Sequence, residues 1–479
     1  MNQTMKLTDL LKNIKYTGSA DLNKEISDVT CDSRKVKKNS AFVCITGTGS
    51  DGHAFAGAAV EAGAALVVAE HDTGFENQII VEDSRAVFAQ MCSNYFGNPS
   101  GKLKLIAMTG TNGKTTVTFL VKHILEACGK KTGLIGTIVN MVGDREIETG
   151  LTTPDAYSLQ SLFSQMNEAG CEYCIMEVSS HALEQDRVKN LKFKTAGFTN
   201  LTQDHLDFHG TIENYYNAKR KLFDMCETAV VNEDDAHGAV IAKGKPCREI
   251  TYSVDCNSDF KAKNVCFHSE GVNFTLCTAE DEFEAFIPIP GKFSVYNALA
   301  ALGVACSVGV PVETAVEALK TAKGVKGRAE VVPTGRDFTV IIDYAHTPDG
   351  LVNIISAMRA IAKGRIVTLF GCGGDRDPIK RPLMGEAAAE LSDFVVVTSD
   401  NPRTEDPEKI IEDIMPGVLK FNTPHEVIVN RKEAIRFAVE HAQKDDIIIL
   451  AGKGHETYQI LGKTKIHFDE REVLAEILK

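Results

Sequence analysis

Short apolar runs recur along this chain, and most are followed by a polar, turn-rich loop and then by a segment with apolar residues at helical spacing. A continuous apolar run reads as a strand buried on both faces, and the helical period after it reads as a helix laid over that strand. SAFVCIT, ALVVAE, residues 105–108, YCIMEV, KTAGFTNL and TAVVN are predicted strands of this kind. AFAGAAVEAGA, residues 117–128 and residues 214–225 are predicted helices. From 251 to 289 the period changes to two, in VNFTLCT and EFEAFIP, which predicts an antiparallel insertion or edge. Two helices follow, near Val295 and Val312. The alternation then restarts with DFTVIIDYAH, GRIVTLFGCGG, DFVVVTSD, HEVIVN and DDIIILAGKG as strands, and with helices such as RPLMGEAAAELS and RKEAIRFAVEHAQ between them.

The pattern predicts an α/β protein of three domains. Residues 1–98 form a small N-terminal α/β domain, closed by the turn formers of FGNPSGK. Residues 99–328 form a central P-loop ATPase-type α/β domain with an antiparallel β part. Residues 329–479 form a C-terminal, Rossmann-like doubly wound domain whose unusual residues sit in loops at the strand C-termini, where open α/β sheets bind ligands. A length of 479 residues agrees with several cores. The net charge of -13 disfavours nucleic-acid binding over the whole surface but leaves room for local basic sites that take small anions. MNQTMKLTDLLKN lacks a basic-then-apolar leader, and no apolar run reaches the ~18 residues of a membrane helix, so a cytoplasmic protein without membrane insertion is expected. The 13 cysteines, odd in number and scattered, fit reduced thiols. Cys171 and Cys174 of CEYC lack a second pair and read as strand residues.

The strand at 105–108, the loop TGTNGKTT (109–116) and the helix after it form a setting that cradles phosphates. Glycines bring backbone N–H groups close to the oxygens, and the helix N-terminus adds positive potential. Lys114 would reach the β- and γ-phosphates and Thr115 would offer its hydroxyl to magnesium. The general P-loop pattern wants a glycine where Met108 stands, so the loop is a variant. In EVSSHALEQDRV, Glu177 at a strand end suits Mg²⁺, which prefers hard oxygens, although a helix-capping cluster reads equally well from these residues alone. NLTQDHLDFHG holds His205 in a polar turn with no stand-alone metal spacing. In ENYYNAKRKLFD, Lys219 is either a solvated surface lysine or a desolvated one able to take up CO₂ as a carbamate. Asp343, Tyr344 and His346 at a strand end would hold a base and ribose. Arg328 would steady a transferring phosphoryl group, or is simply a surface charge.

TGTNGKTT, EVSSHAL, NLTQDHLD, YYNAK, YNALAA, GRAE, DYAHTPD, GCGGDRD, DNPR and GKGHE, in this order, resemble the Mur ligases, and among them the branch that adds the third residue of the peptidoglycan stem peptide. The resemblance runs from about residue 100 to 460 and extends less distinctly to DSRKV and DGHAF. It implies phosphorylation by ATP of a carboxylate of UDP-N-acetylmuramoyl-L-alanyl-D-glutamate, then attack by an amino acid on the acyl phosphate. By similarity Gly110, Thr111, Asn112, Gly113, Lys114, Thr115 and Thr116 bind the triphosphate, and Asn297 and Asp343 the nucleoside. Thr115, Glu177 and His205 hold Mg²⁺, and Lys219 is the carbamylated lysine. Lys114, Lys219, His205 and Arg328 are the expected catalytic set. Thr152, Thr153, Ser179 and Arg187 match residues for the UDP-sugar peptide, with Ser33 at the uridine.

The same resemblance names the incoming amino acid as meso-2,6-diaminopimelate. DNPR, comprising Asp400, Asn401, Pro402 and Arg403, supplies a planar guanidinium for its distal carboxylate, with Arg376 as a second such arginine and Gly452 and Glu456 at the distal amino-acid group. Read alone, DNPR is also an ordinary turn. The alternatives are an L-lysine-adding ligase of the same family, a folylpolyglutamate-synthetase-like ligase, a P-loop ATPase that switches a partner, or an inactive nucleotide-sugar binder. The chain is expected to act as a monomer.

Overall fold

The computed structural model describes residues 4–47, 49–268 and 270–479. Its central sheet explains why the chemistry collects where it does. Thr132–Ile135, Tyr173–Glu177, Lys104–Thr109, Phe193–Phe198 and Cys226–Asn232 lie side by side, all parallel. Helices cover both faces, so Tyr173–Glu177 is buried at every residue and two separate apolar clusters pack against the sheet. Parallel strands put all their C-terminal loops at one edge. The phosphate loop, the loop after Glu177 and the loop after Phe198 therefore meet there without any long-range coincidence.

The period-two region forms the far edge of this same sheet. Phe260–His268 joins in parallel to Arg248–Ser253 and then pairs antiparallel with Gly271–Cys277, which pairs with Glu282–Ile287. The helix expected over 214–225 is shorter. It spans Ile212–Arg220 and tightens into a 3₁₀ turn at Lys221–Asp224. Its start is set by Thr211, whose side chain accepts from the Asn214 amide. The two CEYC cysteines are buried, and all cysteines are free thiols.

The C-terminal sheet has the order Glu330–Val332, Thr339–Asp343, Ile447–Ala451, Ile366–Phe370, Phe394–Val397, His425–Val427, parallel except for the first pair. GCGGDRD, DNPR and GKGHE follow three adjacent parallel strands and so share an edge. An unforeseen hairpin, Tyr458–Leu461 with Thr464–His467, folds over that edge. The N-terminal sheet holds Thr17–Ser19, Gln78–Ile80, Leu66–Ala69, Ser40–Val43 and Asp28–Thr30, parallel after its first pair. Among the described residues no helix is long and apolar enough to cross a membrane.

One buried ion pair braces the C-terminal loops from behind. Arg431 and Glu470 are almost wholly inaccessible, with the guanidinium 2.8 Å from the Glu470 carboxylate. Arg431 Nη2 also donates to the Ala451 carbonyl at 2.7 Å, and Nη1 reaches the Ser399 carbonyl at 3.5 Å. These are the residues just before the GKGHE and DNPR loops. Glu470→Ala should therefore cost about 3–5 kcal/mol, because it strands a buried guanidinium. Arg431→Met/Glu470→Leu should recover most of that loss. Equilibrium urea unfolding followed by circular dichroism measures both.

Candidate active site

The phosphate loop is strapped to the loop after Phe198. Thr111 N donates to Asn200 O (2.8 Å), Asn112 N to Asn200 Oδ1 (2.9 Å), and Thr199 Oγ1 to Asn112 O (2.6 Å). Gly110 and Gly113 both lie at positive φ, +140° and +84°. A Cβ on Gly110 would collide with Thr199 Oγ1, and one on Gly113 would sit 2.6 Å from Asn297 Oδ1. The second distance places Asn297, from the helix Lys292–Ser307, against the loop.

Two ammonium groups converge on this loop. Lys114 Nζ donates to Gly110 O (3.0 Å) and Thr111 O (2.8 Å), and Lys219 Nζ donates to the same Gly110 O (2.9 Å). The surface reading of Lys219 is overturned. The side chain is 2% exposed and its ammonium lies 4.3 Å from the centre of the Tyr215 ring. The reason is helical spacing, since Tyr215, Ala218 and Lys219 share the buried face of Ile212–Arg220. Burial, and then repulsion from Lys114, push the Lys219 pKa well down. Lys114 is also lowered by burial, with Glu177 acting in the opposite sense.

Glu177 is fully buried and richly held. Its Oε2 accepts from Thr115 Oγ1 and Thr137 Oγ1, both at 3.0 Å, and its Oε1 accepts from Thr137 N at 2.8 Å. A carboxylate and a hydroxyl beside a phosphate loop are hard oxygen donors of the kind Mg²⁺ takes together with nucleotide phosphates, so these residues fit the ion. The capping reading also holds next door, where Ser179 Oγ accepts from the Ala182 amide. His205 is not bonded to Thr115 or Glu177. It sits at φ 55°, 3.3 Å from Asp204, with its ring edge-on to His181. Among the described residues no group of three or more His, Cys, Asp or Glu side chains is arranged to hold a metal by itself.

Arg328 crosses from the domain junction to this centre. Its Nη2 donates to Thr115 Oγ1 (3.1 Å), and its guanidinium lies 4.7 Å from the centre of the Tyr344 ring. Asp343 is held by the amides of Ala329 (2.7 Å) and Ala345 (2.8 Å). Asn112 Nδ2 donates to Asp349 Oδ2 across the same junction at 2.8 Å.

Two cavities flank the junction. One, of about 420 Å³, is lined by Gly113, Thr116, Asn297, Arg328 and Asp343. The other, of about 990 Å³, is lined by Thr152, Thr153, Ser179, Arg187 and His205 from the central domain and by Arg376, Arg403 and Glu456 from the C-terminal one. Val325 and Tyr344 line both. The larger cavity's central-domain wall is tied together by Thr153, whose Oγ1 donates to Glu177 O (2.9 Å) and whose carbonyl accepts from Arg187 Nη1 (2.9 Å).

Not every expected residue lines a cavity. Ser33 opens a 3₁₀ turn of the N-terminal domain, Ser33–Lys35, and borders neither. Of DNPR only Arg403 faces the larger cavity. Asp400 and Asn401 are buried behind it, and the Pro402 carbonyl accepts from the Glu405 amide. Gly452 lies there too, donating to Asp343 O (3.0 Å), where a Cβ would come within 2.5 Å of Asp400 Oδ2. Thr137, Asp349 and Lys453 were not singled out from sequence. Asp349 had a signal, being the last acid of DYAHTPD, while Thr137 had none.

A strand, a glycine-rich loop and a helix within a parallel sheet, faced by an arginine at the start of a Rossmann-like domain, place the chain in the class of P-loop nucleotide-binding proteins. Residues 25–95 match the Mur ligase family catalytic domain, 108–305 the Mur ligase middle domain, and 327–454 the Mur ligase glutamate ligase domain. The chain belongs to the Mur ligase family. It is 47% identical over 483 residues to the UDP-N-acetylmuramoyl-L-alanyl-D-glutamate–2,6-diaminopimelate ligase of Clostridium botulinum, covering 99% of this chain and 100% of that protein. It is 49% identical over 478 residues to the protein of the same name from Caldanaerobacter subterraneus subsp. tengcongensis, covering 99% of each. A solved structure of a ligase of this name matches with a TM-score of 0.71 at 32% identity over 99% of both chains.

Gly110→Ala should displace the loop from Thr199 and weaken ADP binding by at least about tenfold, the scale of 1–3 kcal/mol set by a forced backbone conformation. Isothermal titration with ADP checks this, with a melting curve to establish that the variant is folded.

Proposed function

We propose that the chain joins meso-2,6-diaminopimelate to UDP-N-acetylmuramoyl-L-alanyl-D-glutamate at the expense of ATP, as a cytoplasmic step of peptidoglycan precursor synthesis. The observation that carries this reading is the pairing of the two cavities across Val325 and Tyr344, with Arg328 lying over the Tyr344 ring. A nucleotide on one side and a carboxylate substrate on the other would meet at Lys114, Thr115 and Arg328. A carboxylate is a poor electrophile because oxide is a poor leaving group. Transfer of the γ-phosphoryl group gives an acyl phosphate whose leaving group is phosphate. Lys114 and Arg328 offset the negative charge that gathers in that transfer. Thr115 and Glu177 would hold Mg²⁺, with His205 and Asp204 nearby. When bound, the ion screens the phosphate oxygens and orients them.

Lys219 is the residue we assign to carbamylation. A buried, weakly basic amine is nucleophilic toward CO₂; as the N–C bond forms, one C–O π bond opens and the nitrogen releases a proton to solvent, so the product is a carbamate anion beside the phosphate loop. Thr152, Thr153, Ser179 and Arg187 would hold the peptide end of the nucleotide sugar, and the N-terminal domain, through Ser33, its uridine. Arg403 and Arg376 face the larger cavity as cations for carboxylates, and Glu456 faces it as an anion for an ammonium. This set suits diaminopimelate, whose far end carries both charges, better than L-lysine, whose far end carries only the ammonium. The chain would work as a monomer.

Incubation with ATP, magnesium, the nucleotide-sugar dipeptide and equal diaminopimelate and L-lysine should give the diaminopimelate amide by mass. A preference for lysine would overturn the assignment. Arg403→Ala should lose at least about tenfold in kcat/KM for diaminopimelate, as expected for a lost charged hydrogen bond.

Lys219→Arg should be nearly inactive, because a guanidinium stays protonated and forms no carbamate. Lys219→Ala should regain part of its rate on addition of a short carboxylic acid. Full activity in Lys219→Arg would mean that only positive charge matters at this position.

A further inference from the structure

Behind the cavity wall that presents Arg403 and Glu456 lies a buried cation to which the reading above gives no role. Lys453 has no accessible surface. Its ammonium is 3.1 Å from Asn401 Oδ1, 3.2 Å from Glu456 Oε2 and 3.6 Å from Asp400 Oδ1. Asn401 completes the lattice, since its Nδ2 donates to the same Glu456 oxygen (2.8 Å) while its Oδ1 also accepts from the Ile460 amide (3.0 Å). One ammonium thus stands between two carboxylates, one buried and the other at the cavity wall.

We propose that Lys453 is the positioning residue of the amino-acid site, fixing the Glu456 carboxylate in place and keeping it ionised beside Asp400 so that it can receive the ammonium of the incoming amino acid. The proposal rests on the functional reading above and goes beyond it, because it assigns the anion's charge state to a residue that does not touch substrate. The electrostatics agree with the geometry. Burial raises the Glu456 pKa, Asp400 raises it further, and Lys453 and Asn401 hold it down. Tyr458 and Tyr344 also face Glu456. Burial likewise raises Asp400, but Lys453, Arg431, Arg403 and His346 outweigh it and leave that carboxyl low. Glu470 faces Asp400 and Lys453 and is itself paired to Arg431. Removing Lys453 leaves Asp400 with other cations and takes from Glu456 the one that opposes its protonation.

The sign of the pH effect follows. Glu456 receives an ammonium only when ionised, so its contribution is present above its pKa and lost below it. Lys453→Met raises that pKa, and the acid limb of kcat/KM for diaminopimelate should move to higher pH. Near neutrality KM for diaminopimelate should rise by about 10- to 100-fold. ADP affinity, measured on the same full-length protein, should stay unchanged and serves as the control for folding. Lys453→Met/Asp400→Asn removes the repelling charge together with the compensating one, and should regain much of the lost affinity and return the acid limb toward its original position. A merely structural lysine would give neither the pH shift nor the recovery. Unchanged KM in Lys453→Met, or a pH-independent loss that the double variant does not relieve, would overturn the proposal. If the single variant does not fold, the double variant decides by the same two readouts. If the wild-type enzyme joins a different amino acid, the functional reading fails while the Lys453 comparison is made on that amino acid's KM.

Discussion

Lys114 and Lys219 donate to one acceptor, the carbonyl oxygen of Gly110, and among the described residues no carboxylate is bonded to either ammonium. Two buried amines on one peptide oxygen oppose each other's charge, since burial lowers the pKa of both and Lys114 lowers that of Lys219 further, and much of the central domain is arranged around that conflict. Gly110 must be glycine because its φ of +140° and its closeness to Thr199 exclude a side chain. Thr199 and Asn200 must follow the adjacent parallel strand because they close the loop from one side. Glu177 must end the strand on the other side, where it draws Thr115 and Thr137 together. Negative charge brought to this loop would favour the protonated form of both amines, and a phosphate chain is a ligand that would bring it. A carbamate on Lys219 would replace one of the two amines by an anion.

The parallel order of the strands extends this constraint across the molecule. Both larger sheets present their strand C-termini toward the domain junction, and Arg328 and Asp349 reach over it to Thr115 and Asn112. Val325 and Tyr344 are the shared wall between the two cavities. A wall common to both cavities would serve the proposed reaction, in which water must be kept from the acyl phosphate.

Periodicity and turn chemistry made the α/β alternation, the doubly wound third domain and the phosphate loop legible in the sequence, because each depends on residues adjacent in the chain. The period of two over 251–289 located the antiparallel strands but not their attachment, since joining the main sheet depends on the Tyr252–Phe260 pairing across a loop. The fate of Lys219 was not legible from its aromatic neighbours alone. A helix face tells which residues share a side and leaves open whether that side meets protein or water. The supports of the site were the least legible. Thr137 and Arg431 carry no motif, Lys453 lies within GKGHE between the residues chosen there, and their partners lie 40, 39 and 52 residues away in the chain. Ser33 was chosen by resemblance alone, and its place in a turn of the N-terminal domain gives that choice no physical signal of its own.

Arg403 adopts a left-handed backbone, φ 51°, and both of its main-chain groups are engaged by the hairpin that follows, N to Ile460 O at 3.1 Å and O from Gly462 N at 2.7 Å. The conformation of this residue is therefore held by backbone bonds that do not involve its side chain. Asparagine or glycine at this position would relieve local strain and keep the clamp. The guanidinium adds a separate tie, Nη1 to the Gly374 carbonyl at 2.7 Å, so a substitution would give up that bond while keeping the backbone clamp. On the proposed reading, the charge offered to the amino acid is thus separable from the backbone that holds it, whereas in the phosphate loop the glycines and the backbone path are one and the same constraint.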